Sequence, residues 1–310
     1  MRLSTSTGDL LRETGSTEKA IEWLSRSSFR HINVELGEDG EIMHDYGADW
    51  NAYISRIKAA LKNSGVDGVL AHSVSYRLWD GTYEALVECA KRDVRACHEL
   101  GIPDCVVHPF NKDMPVQELY RLNQRFYRDI IDGTEGCNVY VLTENGGDSE
   151  ASVSFMTTGA DIREFVDSVN RERLGVCWDV SHGNLNRPPK NDQYKNVTAL
   201  SDKLRALHVS DNFGVGHFHH HNFPLAGVIN FDSLICALTD IGYKGVFNFE
   251  ASYTIRQPQM MPVRRNEWTP PEGRKLEDRL RPTADLKLKA VELLYDIGKF
   301  MLDAYGIFEE

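Results

Sequence analysis

The chain has 310 residues, 41% of them hydrophobic and 26% charged, with a formal net charge of −11 and a pI near 5.5. That length suits one large α/β barrel, since such barrels run to about 250 residues and beyond as a single domain. The longest apolar runs, IPDCVV and NVYVL, fall far short of the roughly 20 residues that cross a bilayer, and an acidic chain offers no broad positive surface for displacing counterions from DNA, which sets both membrane and nucleic acid aside as partners.

The chain opens on MRLSTSTGDLLRET, which has no apolar run of about 7–15 residues and no small-residue cleavage site, so the expected location is the cytoplasm. From there, strand-like runs that end in polar residues alternate with helix-length amphipathic segments. The strands are RLSTST, HINVEL, GVLAHS, CVVHPF, VYVLTEN, GVCWDVSH, RALHVSDN and VFNFEAS. Apolar residues at i, i+3, i+4 and i+7 mark helices over 47–64, 81–100, 114–132, 158–170, 230–241 and 282–304. Eight strands alternating with helices predict a single-domain (β/α)8 TIM barrel over residues 1–310. An open doubly wound sheet is the weaker fit, because STSTGDLL after the first strand lacks the Gly-rich phosphate loop.

Two further features are read from composition. The six cysteines, Cys89, Cys97, Cys105, Cys137, Cys177 and Cys236, contain no CxxC pair and are read as reduced core residues. Residues 253–283, rich in Pro, Arg and Met, are too long for an ordinary connection between the last strand and last helix. They are expected to cover the mouth of the site or to pack on a partner subunit as part of a homo-oligomer, because Met260, Met261, Val263 and Trp268 would otherwise stay in water.

From the third strand to the eighth, each C-terminal end delivers a side chain that can ligate a metal: His72, His108, Glu144, Asp179 with His182, His208 with Asp211, and Glu250. Taken singly, such residues are helix caps, ion-pair partners or rim histidines. In a (β/α)8 barrel, however, these ends converge on one pocket, where several carboxylates would repel one another unless a cation held them together. A bound divalent ion is therefore expected. The stretch HVSDNFGVGHFHHHNFPLAGVINF adds to the pattern, since five of the eleven histidines fall between His208 and His221. His219 and His221 are read as facing inward, His217 and His220 outward.

These motifs give the chain a family resemblance. TEN at Glu144, WDVSHGN at Asp179 and His182, LHVSDN at His208 and Asp211, HNFPLAGVINF at His221 and GYKGVFNFE at Glu250 resemble the xylose isomerase-like barrels, a group that includes sugar and sugar-phosphate isomerases and epimerases as well as AP endonucleases. The likeness runs from RLSTST to FNFEAS. In the epimerase branch it implies one divalent ion held by Glu144, Asp179, His208 and Glu250, with His182 beside the substrate. In the endonuclease branch it extends to His72, His108, His182 and His221 and implies two or three zinc ions. The chain departs from that branch at His219, where the endonucleases carry an Asp, and family members without DNA activity also keep the histidines of the third and fourth strands.

Two reactions follow from the resemblance. In the first, a metal-dependent isomerase or epimerase acts on a sugar, sugar phosphate or related keto-polyol. The ion polarises a carbonyl and stabilises an enediolate, while Glu144 and Glu250 remove and return the proton at the adjacent carbon. Arg256, Arg264 or Arg265 would hold a phosphate. In the second, a multinuclear zinc phosphoester hydrolase directs water at phosphorus. A silent ligand-binding barrel is a third reading. A mixed N/O ligand set suits Mn²⁺, Zn²⁺, Co²⁺ or Fe²⁺, one ion for the first reaction and two or three for the second.

Overall fold

The computed structural model describes residues 1–37, 49–73, 81–147, 155–216, 220–251, 272 and 282–310. Eight parallel strands, β1 (Leu3–Ser6), β2 (His31–Glu35), β3 (Asp67–His72), β4 (Asp104–Val106), β5 (Tyr140–Glu144), β6 (Leu174–Asp179), β7 (Leu204–His208) and β8 (Phe247–Phe249), form one sheet in the order 7-6-5-4-3-2-1-8. A parallel bridge between Val209 and Phe249 joins its two ends. The Val209 N–H donates to Asn248 O at 2.9 Å and the Glu250 N–H to Val209 O at 3.0 Å, so the sheet closes into the expected (β/α)8 barrel.

The helices are α1 (Gly8–Thr14), α2 (Thr17–Leu24), α3 (Asp49–Ser64), α4 (Tyr83–Leu100), α5 (Val116–Asp132), α6 (Gly159–Val169), α7 (Val180–Asn184), α8 (Gln193–Leu200), α9 (Phe231–Asp240) and α10 (Ala284–Asp303). All six segments with helical periodicity are helices, trimmed at their ends by caps the sequence carries. Thr82, Thr158, Asn230 and Thr283 each accept a hydrogen bond from a first-turn N–H, and Gly101 closes α4 at φ 75°. Four helices were not foreseen. α1, α2, α7 and α8 have 5 to 8 residues, too short for periodicity to register. α7 also corrects the sixth strand, which stops at Asp179 instead of running through His182.

Side-chain alternation along each strand sets the depth of the site. Leu70, Val106, Leu142, Cys177 and Ala206 form an apolar cluster of their own inside the barrel. Two residues further along, on the same face by the period of two, stand His72, His108, Glu144, Asp179 and His208. An apolar plug therefore lies directly beneath the polar layer. The cysteines only partly match expectation: Cys89, Cys97, Cys105 and Cys177 are buried, Cys137 is half-buried and Cys236 on α9 is exposed. The excursion at 253–283 falls almost wholly outside the described residues, as do Arg256, Arg264 and Arg265. Among the described residues no helix is long and apolar enough to cross a membrane.

Candidate metal centre

Strand register brings the candidate ligands together. Asp179 is paired with His208 across β6 and β7, and Glu35 with His72 across β2 and β3. Ligand atoms of Glu144, Asp179, His208 and Glu250 all lie within 4.8 Å of one another, and those of His72, His108 and Glu144 form a second such group. Glu144 belongs to both. Its Oε1 is 3.1 Å from His208 Nδ1, and its Oε2 is 3.0 Å from His108 Nε2 and 3.8 Å from His72 Nε2. His208 Nδ1 also faces Glu250 Oε2 at 3.5 Å, and the His72 and His108 Nε2 atoms are 3.1 Å apart.

Three histidines share one mode of support. His72 Nδ1 lies 3.1 Å from Ser73 O, His182 Nδ1 2.9 Å from Asn145 O, and His221 Nδ1 2.9 Å from Glu250 O. A carbonyl can only accept, so in each ring Nδ1 carries the proton and Nε2 the lone pair, the arrangement that orients an imidazole toward a metal or a substrate. Asp179 has a double duty. Its Oδ1 accepts the His182 N–H at 2.7 Å and so caps α7, while its Oδ2 is buried and accepts no hydrogen bond. Glu144 Oε2 is likewise buried and receives no well-aligned N–H, although His108 Nε2 stands 3.0 Å away.

The electrostatics are those of crowded carboxylates. Burial pushes the Asp179 carboxyl up to about 6, with His182 pulling it down and Glu144 pushing it further up. Burial, together with the charges of Asp179, Glu144, Glu35 and Asp9, holds Glu250 well above the usual carboxylate range. Glu144 goes the other way: burial would raise it, but His208 and His108 hold it well below that range. Burial alone would lower His72, yet the neighbouring Glu144 carboxylate makes its net shift upward, whereas in His108 burial wins. Buried carboxylate oxygens lacking donors, beside imidazole nitrogens within a few ångströms, are a donor set that fits a divalent cation.

Not every candidate joins this centre. The Asp211 carboxylate accepts N–H groups from Asn212 (2.8 Å), Gly227 (2.8 Å) and Ile229 (3.2 Å), pinning the loop that follows β7 back on itself. His217 and His219 lie outside the described residues. His220 corrects the expectation that it faces outward, because it is buried edge-on against Phe213, 5.5 Å between ring centroids, and its carbonyl accepts from Ser181 Oγ.

Sequence reasoning missed two contributors. Glu35 ends β2, and its charge reaches both His72 and Glu250; its strand-end position was the available signal. Asn145 had none, since its role is to clasp Asp179, donating Nδ2–H to Asp179 O at 2.9 Å and accepting the Asp179 N–H at 2.7 Å.

A family model described as xylose isomerase-like TIM barrel matches residues 21–279. The chain belongs to the xylose isomerase-like TIM barrel family. Among curated members of related sequence, the probable endonuclease 4 of Thermotoga maritima is 22% identical over 243 residues, 73% of this chain and 80% of that protein. The L-ribulose 3-epimerase of Methylomonas sp. strain DH-1 is 30% identical over 119 residues, only 37% of this chain and 38% of that protein. Among solved structures, D-psicose 3-epimerase from Clostridium cellulolyticum H10, determined with D-tagatose, superposes with a TM-score of 0.72 at 14% identity, covering 97% of this chain and 99% of that one. A D-tagatose 3-epimerase-like protein superposes with a TM-score of 0.69 at 17% identity, covering 99% and 100%. The structural likeness establishes the barrel, and the sequence matches place the chain among enzymes that include both sugar epimerases and endonucleases.

Proposed function

We propose that this member of the xylose isomerase-like family is a divalent-metal-dependent epimerase or isomerase of a sugar, sugar phosphate or related keto-polyol. The observation that carries the reading is the convergence of Glu144 and Glu250, from β5 and from the end of β8, on the same His208 nitrogen at 3.1 and 3.5 Å, with Asp179 completing the group. Glu144, Asp179, His208 and Glu250 would hold the ion, which when bound supplies Lewis acidity toward a carbonyl and its neighbouring hydroxyl. Two carboxylates of separate strands then serve as the base that takes a proton from carbon and the acid that returns one. His182, its Nδ1–H committed to Asn145 O, offers Nε2 as an acceptor for a substrate hydroxyl. The similarity to ketose 3-epimerases, in sequence over part of the chain and in fold over nearly all of it, supports this choice.

A second reading has its own observation. Glu144 is shared with His72 and His108, the arrangement expected of a bridging ligand between two ions, and the endonuclease match spans more of the chain than the epimerase match. A net charge of −11 argues against DNA as its substrate, leaving a smaller phosphoester.

One experiment separates the two. The protein supplied with Mn²⁺, Co²⁺ or Zn²⁺ is incubated with a ketose panel in heavy water and, in parallel, with an activated phosphodiester. Deuterium at a sugar carbon is the expected result, reduced by about 10²–10⁴-fold in Glu144→Gln and Glu250→Gln, the usual contribution of general acid–base catalysis. Phosphodiester cleavage with no exchange in any sugar overturns the first reading in favour of the second.

A further inference from the structure

The last helix of the barrel carries an apolar stripe that no other described residue covers. α10 docks through Val291, Leu294, Gly298, Met301 and Leu302, all buried. Gly298 fixes the rotation, because a Cβ there would meet the Phe249 ring at 2.5 Å and Leu3 at 3.0 Å. With that face turned inward, Leu286, Leu293 and Phe300 are left in solvent at 47%, 52% and 66% exposure. They are seven residues apart and so line up along the helix, while Ala290 and Ile297, half-buried, fill the intervening positions. The resulting 4-3-4-3 spacing is that of a coiled-coil seam.

The edge of this stripe says what covers it. Lys289 and Asp296 flank it on the solvent side, and neither has an ion-pair partner among the described residues. An antiparallel copy of α10 related by a two-fold axis at Leu293 would set Leu293 on its own counterpart and Leu286 on Phe300 of the other copy, at equal and opposite distances along the helix. Lys289 would then lie beside Asp296 of the other copy, and Asp296 beside Lys289, to within one residue. A two-fold interface must complement itself in this way, and here both the apolar positions and the charges do.

We propose that the outward face of α10 is the interface of an antiparallel homodimer of this chain. A 20-residue helix is about 30 Å long, so one helix pair alone makes a small interface and the dimer should dissociate on dilution. The test is sedimentation velocity on the full chain from about 1 µM to about 200 µM, spanning the range in which a weak dimer forms. Wild type should shift from monomer to dimer across that range, and Leu293→Asp should raise the dissociation constant at least about tenfold. Lys289→Asp and Asp296→Lys should each weaken the dimer several-fold, and the double exchange should restore it, whereas a merely sticky surface would not distinguish the three. All three substituted side chains are solvent-facing, and circular-dichroism melts verify folding; if Leu293→Asp fails to fold, the charge exchange still decides. A wild type that stays monomeric at the highest concentration, a folded Leu293→Asp that dimerises as tightly, or a double exchange no tighter than the single variants overturns the proposal.

Discussion

The two ends of this barrel handle buried carboxylates in opposite ways. At the N-terminal ends of the strands, Asp104 on β4 is held by Arg205 on β7, with Nε at 2.6 Å and Nη2 at 3.4 Å, and the guanidinium lies 3.5 Å over the Tyr140 ring. The charge is met inside the chain. At the C-terminal ends, Glu144, Asp179 and Glu250 converge with no Lys or Arg pairing to them among the described residues, only imidazoles. Among the described residues, one buried acid is met by an arginine and the other three only by imidazoles, the pattern expected where a cation would be held.

The largest expected effect breaks the upper end. Asp179→Ala or His208→Ala should strip the divalent ion, read by elemental analysis of protein purified without added metal, and should lower turnover by at least about 10²-fold. Full metal occupancy in either variant removes that residue from the ligand set. His72→Ala sharpens the same end: if two ions are bound it should remove one, and if one is bound the count should stay unchanged.

At the lower end, Arg205→Ala should destabilise the fold by about 2 kcal/mol in urea titration, because it leaves a largely buried carboxylate unpaired, while activity per folded molecule is unchanged. A pH series refines this. Burial holds the Asp104 carboxyl above its ordinary value even with Arg205 pulling it down. A raised acid pKa means that stability falls as pH rises through the carboxylate range, so wild type should lose stability relative to Asp104→Asn over that interval. In Arg205→Ala the loss should be steeper. An equal slope in both backgrounds would show that the pair does not neutralise the site.

Asp211→Asn falls between the two ends. Its carboxylate serves backbone N–H groups rather than the centre, so it should cost about 1–2 kcal/mol and leave metal content untouched. Loss of metal would mean that the loop, not the strands, sets the ligand geometry. The smallest effect, about 1 kcal/mol with no change at either end, is expected for Thr158→Ala, which removes only the cap of α6.

The sequence by itself determined the barrel and most of its polar ring. Period-two strands alternating with capped amphipathic helices leave few other architectures, and strand-end residues of a closed parallel sheet must share one pocket whatever their separation in the chain. It also exposed the family, through motifs that sit at those ends. What it could not determine was how each polar atom is spent. Asp211 and Asp179 look alike in the sequence, each a strand-end aspartate next to a candidate ligand, yet one carboxylate is consumed by loop N–H groups and the other keeps a bare buried oxygen. His220 stands among exposed-looking histidines and is buried on Phe213. The heptad stripe of α10 is visible as a pattern, but only Gly298 packed on Phe249 shows which apolar face turns inward and which is left over. Such outcomes depend on hydrogen-bond partners, packing neighbours and rotations that are set only when the chain has closed, and local sequence carries no record of those.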